Sequence, residues 1–268
     1  MSVLLAVTDY TQWKAYCRPA FWKMMAKCVY PLDDVAIAVA SDQHSYDVGH
    51  WDYYSPMTPG KAMVEDIIMD SREQQRKIAV EEGFDKIMWQ GLDAPWRSQE
   101  DVERILSHDL DIVGPVINAR TFPGMAVARR FLVKSKPSVV RSYEDGFPGF
   151  DQIQFSEEQE DITHEEIMSG ELVPAGFPGG DNIVIKRDVF EQFDWWSGGH
   201  KPWYARVANG EANVDCIEWY CLNALNAGYS SWLDTSVHVW HIDGDTSPPT
   251  ARLYPDVNIP LDDVRDWD

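Results

Sequence analysis

Proteins that grip nucleic acid, cross membranes or lean on disulfides each need something this chain has little of. Basic residues are scarce: 23 Lys and Arg stand against 44 Asp and Glu, a net charge of −21 at pH 7. Such a field repels phosphate backbones at long range, which disfavours a broad nucleic-acid surface while leaving room for a local basic groove. Long apolar runs are missing too, since no stretch approaches the roughly 18 to 20 residues that a membrane helix needs. The opening MSVLLAVTDYTQW lacks the basic start and long apolar stretch of a secretory signal, so a cytoplasmic location is expected. Cysteine is sparse: Cys17, Cys28, Cys216 and Cys221 imply no disulfide framework at this length and are not spaced as a zinc site. Reduced, buried thiols are the expectation. Internal repeats and low-complexity tracts are absent. Present instead are 44% hydrophobic residues, with 12 Trp, 11 Tyr and 10 Phe, ample for a packed core. At 268 residues the chain makes one large domain or two small ones.

Apolar runs alternate with amphipathic stretches through the first half. Val3 to Val7 reads as a strand, Arg18 to Tyr30 as a helix, and Val35 to Ala40 (VAIAVA) as a second strand buried on both faces. Met63 to Glu82 carries helix-spaced apolar residues and is closed by Gly83. Lys86 to Trp89 is then a short strand, and Ser98 to Ser107 a helix with Ser98 as its N-cap. Asp111 to Ile117 follows as a strand. This alternation predicts an α/β fold with a mostly parallel sheet flanked by helices.

From 121 to 170 the pattern weakens into loops, a hairpin and one short helix, read as an insertion. It resumes with Asn182 to Ile185 and Arg187 to Phe193. Asp215 to Ala227 forms the last helix and Ser231 to His241 the last strand. The tail over 244–268, with Pro248, Pro249, Pro255 and Pro260, reads as an extended surface arm.

In an open parallel sheet, ligands bind beyond the C-terminal ends of the strands, where strand order switches. Asp9 and Tyr10 follow the first predicted strand, Asp42 the second, Gly91-Leu92-Asp93 the third, Asn118-Ala119-Arg120 the fourth and His241 the last. Three of these exits offer a carboxylate and the last an imidazole, the donors of an oxygen-rich divalent-metal site with one nitrogen ligand. The same acids suit ordinary turns and caps, so the residues alone leave both readings open. Asp243-Gly244-Asp245, beside His241, reads first as an Asp-Gly turn.

The residues Ser71-Arg72 and Ile78 to Trp89, followed by Gly91-Leu92-Asp93, resemble the approach to the DxD motif of GT-A-fold nucleotide-sugar glycosyltransferases, especially compact phage and bacterial ones. Leu110 to Arg120 resembles the strand that follows in that family. Val173-Pro174-Ala175-Gly176 with Gly179 to Phe190 resembles its acceptor-side segment. Asp215, Glu218, Ala227-Gly228-Tyr229, Leu233-Asp234 and Val237 to His241 resemble its closing block. The resemblance spans about residues 1 to 243, and the order and spacing of these degenerate motifs carry it.

It implies a Rossmann-like GT-A catalytic domain over 1–243 that moves a sugar from a nucleotide-diphosphate sugar to a hydroxyl-bearing acceptor, a glycan or a modified nucleobase. The implied cofactor is a divalent metal, Mn²⁺ or Mg²⁺, held by Asp93 at the second DxD position and by His241. Gly91 stands where the first Asp belongs, so the motif here is GLD. Asp9, Asp42, Arg72, Leu92 and Arg120 fall on the donor side, the two arginines suited to phosphate. Gly180 and Asp181 fall on the acceptor side. Trp195, Trp196 and Trp203 offer a platform for a sugar ring. Asp215 and Glu218, three apart on one helix face, are the acids at the reacting centre. Two rivals stand beside this expectation. One is a nucleotide- or sugar-binding protein without turnover, for which Gly91 speaks. The other is a transferase acting on modified DNA bases, for which only Arg129-Arg130, Lys134 and Lys136 speak.

Overall fold

Period-two alternation of apolar side chains builds the centre of the molecule, because each strand then offers two dry faces. The computed structural model describes residues 1–9, 15–41, 71–118, 126–131, 138–141, 151–154, 159–194, 216–244, 249–255 and 257–265. In chain order, β1 (Val3–Asp9) leads through a short 3₁₀ turn into α1 (Arg18–Met24), which continues as a π-helical turn over Met25–Val29. Then come β2 (Val35–Ser41), α2 (71–81), β3 (Lys86–Gln90), α3 (Gln99–Ser107) and β4 (Ile112–Ile117). Within 121–170, β5 (Arg129–Phe131) pairs with β8 (Gln159–Asp161), β6 (Ser138–Arg141) pairs with β7 (Asp151–Gln154), and α4 (His164–Ile167) follows. The chain continues with β9 (Leu172–Pro174), β10 (Ile183–Lys186), α5 (Arg187–Gln192), α6 (Cys216–Asn226) and β11 (Ser231–Val239). It closes with β12 (His241–Asp243), β13 (Thr250–Leu253), β14 (Val257–Pro260) and α7 (Leu261–Arg265).

Seven strands form the central sheet in the order β2-β1-β3-β10-β4-β11-β9. β2, β1, β3, β4 and β11 run parallel, whereas β10 runs antiparallel between β3 and β4, and β9 antiparallel at the edge beside β11. This is a mixed α/β, Rossmann-like sheet flanked by helices, as the alternating pattern predicts. Its order reverses at β1, which has β2 on one side and β3 on the other, and that is where such sheets open a crevice for ligands.

Every residue of β3 and β4 is buried. One face carries Leu5, Val7, Met88, Val113, Val184 and Val237 against Phe21, Met25, Val102 and Ile105 of α1, its π turn and α3. The other carries Leu4, Ala6, Ile87, Trp89, Ile183 and Ile185 against Ala79, Val189, Phe190 and Tyr220 of α2, α5 and α6. Ser98 caps α3 by accepting from the Asp101 N–H at 3.2 Å.

Pro115 lies in a central strand and has no N–H to give to the ladder. Opposite it β11 bulges: Asp234 is level with Pro115, and His238 is already level with Val116. Asp234 turns inward there, fully buried, and its carboxylate accepts from Ser236, from Arg104 at 2.8 Å and from His108 at 2.7 Å.

Two expectations are corrected. The VAIAVA run makes the edge strand, not a strand buried on both faces, and Val39 is 47% exposed. Nor does the chain past 243 run as an extended arm. β13 joins β12 and β14 in a three-stranded sheet, and Ala251 and Leu261 are buried in the same core as α1 and α3. The prolines at 249, 255 and 260 lie at the ends and turns of these elements, where a missing N–H costs nothing. Cys17, Cys28 and Cys221 are buried thiols outside any disulfide, as expected, and burial pushes the Cys28 thiol up to about 11. No helix among the described residues is long and apolar enough to cross a membrane.

Candidate functional site

Because β10 runs against its neighbours, its N-terminal end meets the C-terminal ends of β3 and β4. Ile183 is level with Trp89, so the turn 179–182 comes to the same rim as the β3 exit at 91–96. The β11 exit reaches this rim too. Trp240 N donates to Pro95 O at 3.1 Å and Ile242 N to Asp93 O at 2.7 Å, so the backbone on both sides of His241 is fastened to the turn that carries Asp93.

The two residues expected to hold metal are therefore brought together. His241 Nε2 stands 3.5 Å from Asp93 Oδ2, with the carboxylate wholly buried and the imidazole nearly so. On its other side, His241 Nδ1 lies 2.6 Å from Asn118 O. A carbonyl only accepts, so Nδ1 carries the hydrogen and the neutral ring turns its Nε2 lone pair toward Asp93. Two groups that both accept, face to face in a dry place, need a proton on the ring or on the carboxyl, or a cation, between them. A main-chain carbonyl fixing the tautomer of a ligating imidazole is the usual support of a metal site. Asn118 adds a further sign: it is 2% exposed, and its Oδ1 has no hydrogen-bond partner among the described residues. A buried carbonyl oxygen without a donor is costly, and a bound cation or hydroxyl would satisfy it. The donor set thus fits a divalent cation with oxygen and imidazole ligands. Among the described residues no group of three or more His, Cys, Asp and Glu side chains converges, so Asp93 and His241 by themselves do not make a full ligand shell.

Below the rim, a buried amide network joins the two turns. Gln90 donates to Ala94 O at 2.8 Å and to Asn182 Oδ1 at 2.8 Å, and accepts from Trp96 Nε1 at 2.5 Å. Asn182 Nδ2 in turn donates to Ala94 O at 2.8 Å. Asn182 is fully buried and holds φ 60, a left-handed conformation that asparagine tolerates better than most residues. Sequence reasoning singled out neither Gln90 nor Trp96, and it quoted Asn182 only as part of a motif. The available signal was a Gly-Gly-Asp-Asn string before an apolar strand, which marks a turn with positive φ.

The other candidates divide by position. Arg72, in the first described turn of α2, is buried beside the acceptor-side turn: its Nη2 lies 3.3 Å from Gly180 O and 3.4 Å from Asp181 Oδ1. Leu92 is wholly buried in the core, so its side chain anchors the turn rather than facing a ligand. Glu218 is 5% exposed in the first turn of α6. That helix packs Tyr220 edge-on against Trp89 and leads to the start of β11 at the far end of the sheet, so its first turn lies on the rim side. Asp9 ends β1 level with Ser41, at the switch point. Asp243 is held by Arg252 at 2.9 Å, and the Tyr16 ring occupies the space beside Gly244, which fits the turn reading of that triplet. Asp42, Arg120, Trp195, Trp196, Trp203 and Asp215 lie outside the described residues, as do Lys134 and Lys136.

No protein-family model and no curated protein sequence matches this chain. Among solved structures, A197 from STIV is similar, with a TM-score of 0.51 and 10% identity over 97% of this chain and 94% of that one. At that identity the likeness is one of fold alone.

Proposed function

We propose that the protein is a GT-A-type glycosyltransferase that moves a sugar from a nucleotide-diphosphate donor to a hydroxyl-bearing acceptor with the help of Mn²⁺ or Mg²⁺. One observation carries this reading above the others. The Asp93 carboxylate and the Nε2 of a tautomer-fixed His241 face each other at 3.5 Å, on the rim where a sheet of this order binds its ligand.

Asp93 and His241 would hold the cation, and a divalent ion there neutralises charge growing on a leaving diphosphate. The chain's own residues do the rest. Arg72 lies at the rim as a paired-donor cation suited to phosphate oxygens. Asp9, the last residue of β1 at the switch point, would meet the nucleoside. Gly180 and Asp181, in the turn beside Arg72, would border the bound substrate. Glu218, in the first turn of the helix that packs Tyr220 against Trp89, is the candidate to take the proton from the acceptor hydroxyl; Asp215, the other acid expected there, lies outside the described residues.

A donor-binding protein without turnover is the second reading, and Gly91 in place of an acid favours it. The net charge of −21 weighs against a DNA acceptor. Isothermal titration of nucleoside diphosphates and nucleotide sugars, with and without Mn²⁺, tests the assignment when slow donor hydrolysis is followed in the same samples. Metal-dependent binding of one donor with hydrolysis is expected. Binding without any turnover would favour the second reading, and no binding across the panel would refute both.

A further inference from the structure

Gly91 ends β3 at the rim, and its missing side chain has been replaced through space. A Cβ built at 91 would stand 2.5 Å from Asp181 Cγ and 2.7 and 2.9 Å from the two carboxylate oxygens. No side chain fits there while Asp181 holds its place. A glycine at a strand end is otherwise a poor choice, since it offers nothing to pack and loses the most entropy on folding. Here it admits a carboxylate from a different strand.

The placement of Asp181 is supported from two sides. Asn182, next in the chain, is fully buried and locked to Gln90 and to Ala94 O, both on the β3 side of the rim. Arg72 reaches Gly180 O and Asp181 Oδ1 from α2. The carboxylate is 29% exposed, and among the described residues Oδ2 accepts no hydrogen bond. It is thus an acceptor held at Oδ1 by Arg72, with Oδ2 left for a further donor.

We propose that Asp181 supplies, from the start of β10, the acidic group that position 91 lacks, and that its open oxygen receives a hydroxyl pair of the donor's ribose or sugar. It is not counted among the metal ligands, because it does not join Asp93 and His241 in a cluster. The inference rests on the donor-binding reading above. It also changes the meaning of Gly91, from the mark of a lost site to the counterpart of a moved one.

The test compares wild type with Asp181→Asn, Gly91→Ala, the exchange Gly91→Asp/Asp181→Gly, and His241→Ala. Each is titrated with Mn²⁺ alone, then with nucleoside diphosphates, their 2′-deoxy forms and nucleotide sugars in Mn²⁺, with melting curves as the control for folding. Hydrogen bonds to a charged group are strong enough that Asp181→Asn and Gly91→Ala should each weaken donor binding roughly ten- to a hundredfold. Mn²⁺ binding without nucleotide should stay near wild type in Asp181→Asn, and the exchange should recover much of the donor affinity. A loss confined to ribonucleotides points to the ribose, and one confined to nucleotide sugars points to the transferred sugar. Wild-type donor affinity in Asp181→Asn, alongside metal-dependent binding lost in His241→Ala, would overturn this inference alone. No donor binding by the wild type would overturn it together with the proposed function.

Discussion

A carboxylate taken out of water is costly unless positive charge or hydrogen-bond donors meet it, and Asp234, Asp243 and Asp93 answer that cost in two ways. Asp234 and Asp243 each have an arginine, Arg104 at 2.8 Å and Arg252 at 2.9 Å. Asp93, equally buried, instead faces an imidazole whose proton is fixed on the far nitrogen. The first arrangement stabilises, and the second is suited to receive a cation. Burial pushes the Asp234 carboxyl up, but hydrogen bonds from Ser236, Arg104 and His108 outweigh it and leave it below the ordinary 3.8. A depressed folded-state value means stabilisation that is complete above 3.8 and lost as pH falls through the folded value. Asp234→Asn should cost about 2 to 3 kcal/mol at pH 7, below the 3 to 5 of a wholly buried pair because Arg104 is half exposed. Urea melts should show that difference narrowing below about pH 4, the ordinary carboxylate range. Asn182→Ala removes two buried amide bonds while keeping an unfavourable φ, so a loss of roughly 2 kcal/mol is expected. If the network positions Asp93, Mn²⁺ affinity should fall with it, whereas Asp234→Asn should leave that affinity unchanged.

Several elements that alternation and capping announce are present in the structure, among them β1, β3, α3 and β4. Val3 to Val7, Lys86 to Trp89 and Asp111 to Ile117 are strands because each is a short apolar run between helices, and α3 starts where Ser98 can cap it. Ser98→Ala should cost about 1 kcal/mol in thermal or chemical unfolding. Pairing partners were less legible, since they are made by contacts distant in sequence. Nothing local in Asn182 to Ile185 shows that this run inserts backwards between β3 and β4, yet that reversal brings Asp181 to Gly91. Nothing local in VAIAVA separates a central strand from an edge one. The prolines of the tail suggested an arm, although Pro249, Pro255 and Pro260 sit at the ends and turns of folded strands. Of the site, Asp93 and His241 could be read from strand exits and from the family resemblance. Gln90 and Asn182 could not, because a single buried amide looks the same in sequence as any surface one.

At the scale of the whole molecule, the chain carries 21 excess negative charges, yet its rim is proposed to receive a diphosphate. Their field opposes an anionic ligand, so binding must draw on local positive charge, from Arg72 and a cation at Asp93 and His241. Nucleotide binding in chelator should accordingly be weak. The central claim is that these two residues hold a divalent ion which in turn holds the diphosphate. The most direct measurement is a Mn²⁺ titration followed by electron paramagnetic resonance, with and without a nucleoside diphosphate, on wild type and His241→Ala. The account predicts that wild type binds Mn²⁺, more tightly with the nucleotide present, and that His241→Ala loses at least tenfold in affinity, the scale of a lost metal ligand or its support. Equal Mn²⁺ binding by the two proteins, or none by the wild type, would contradict it.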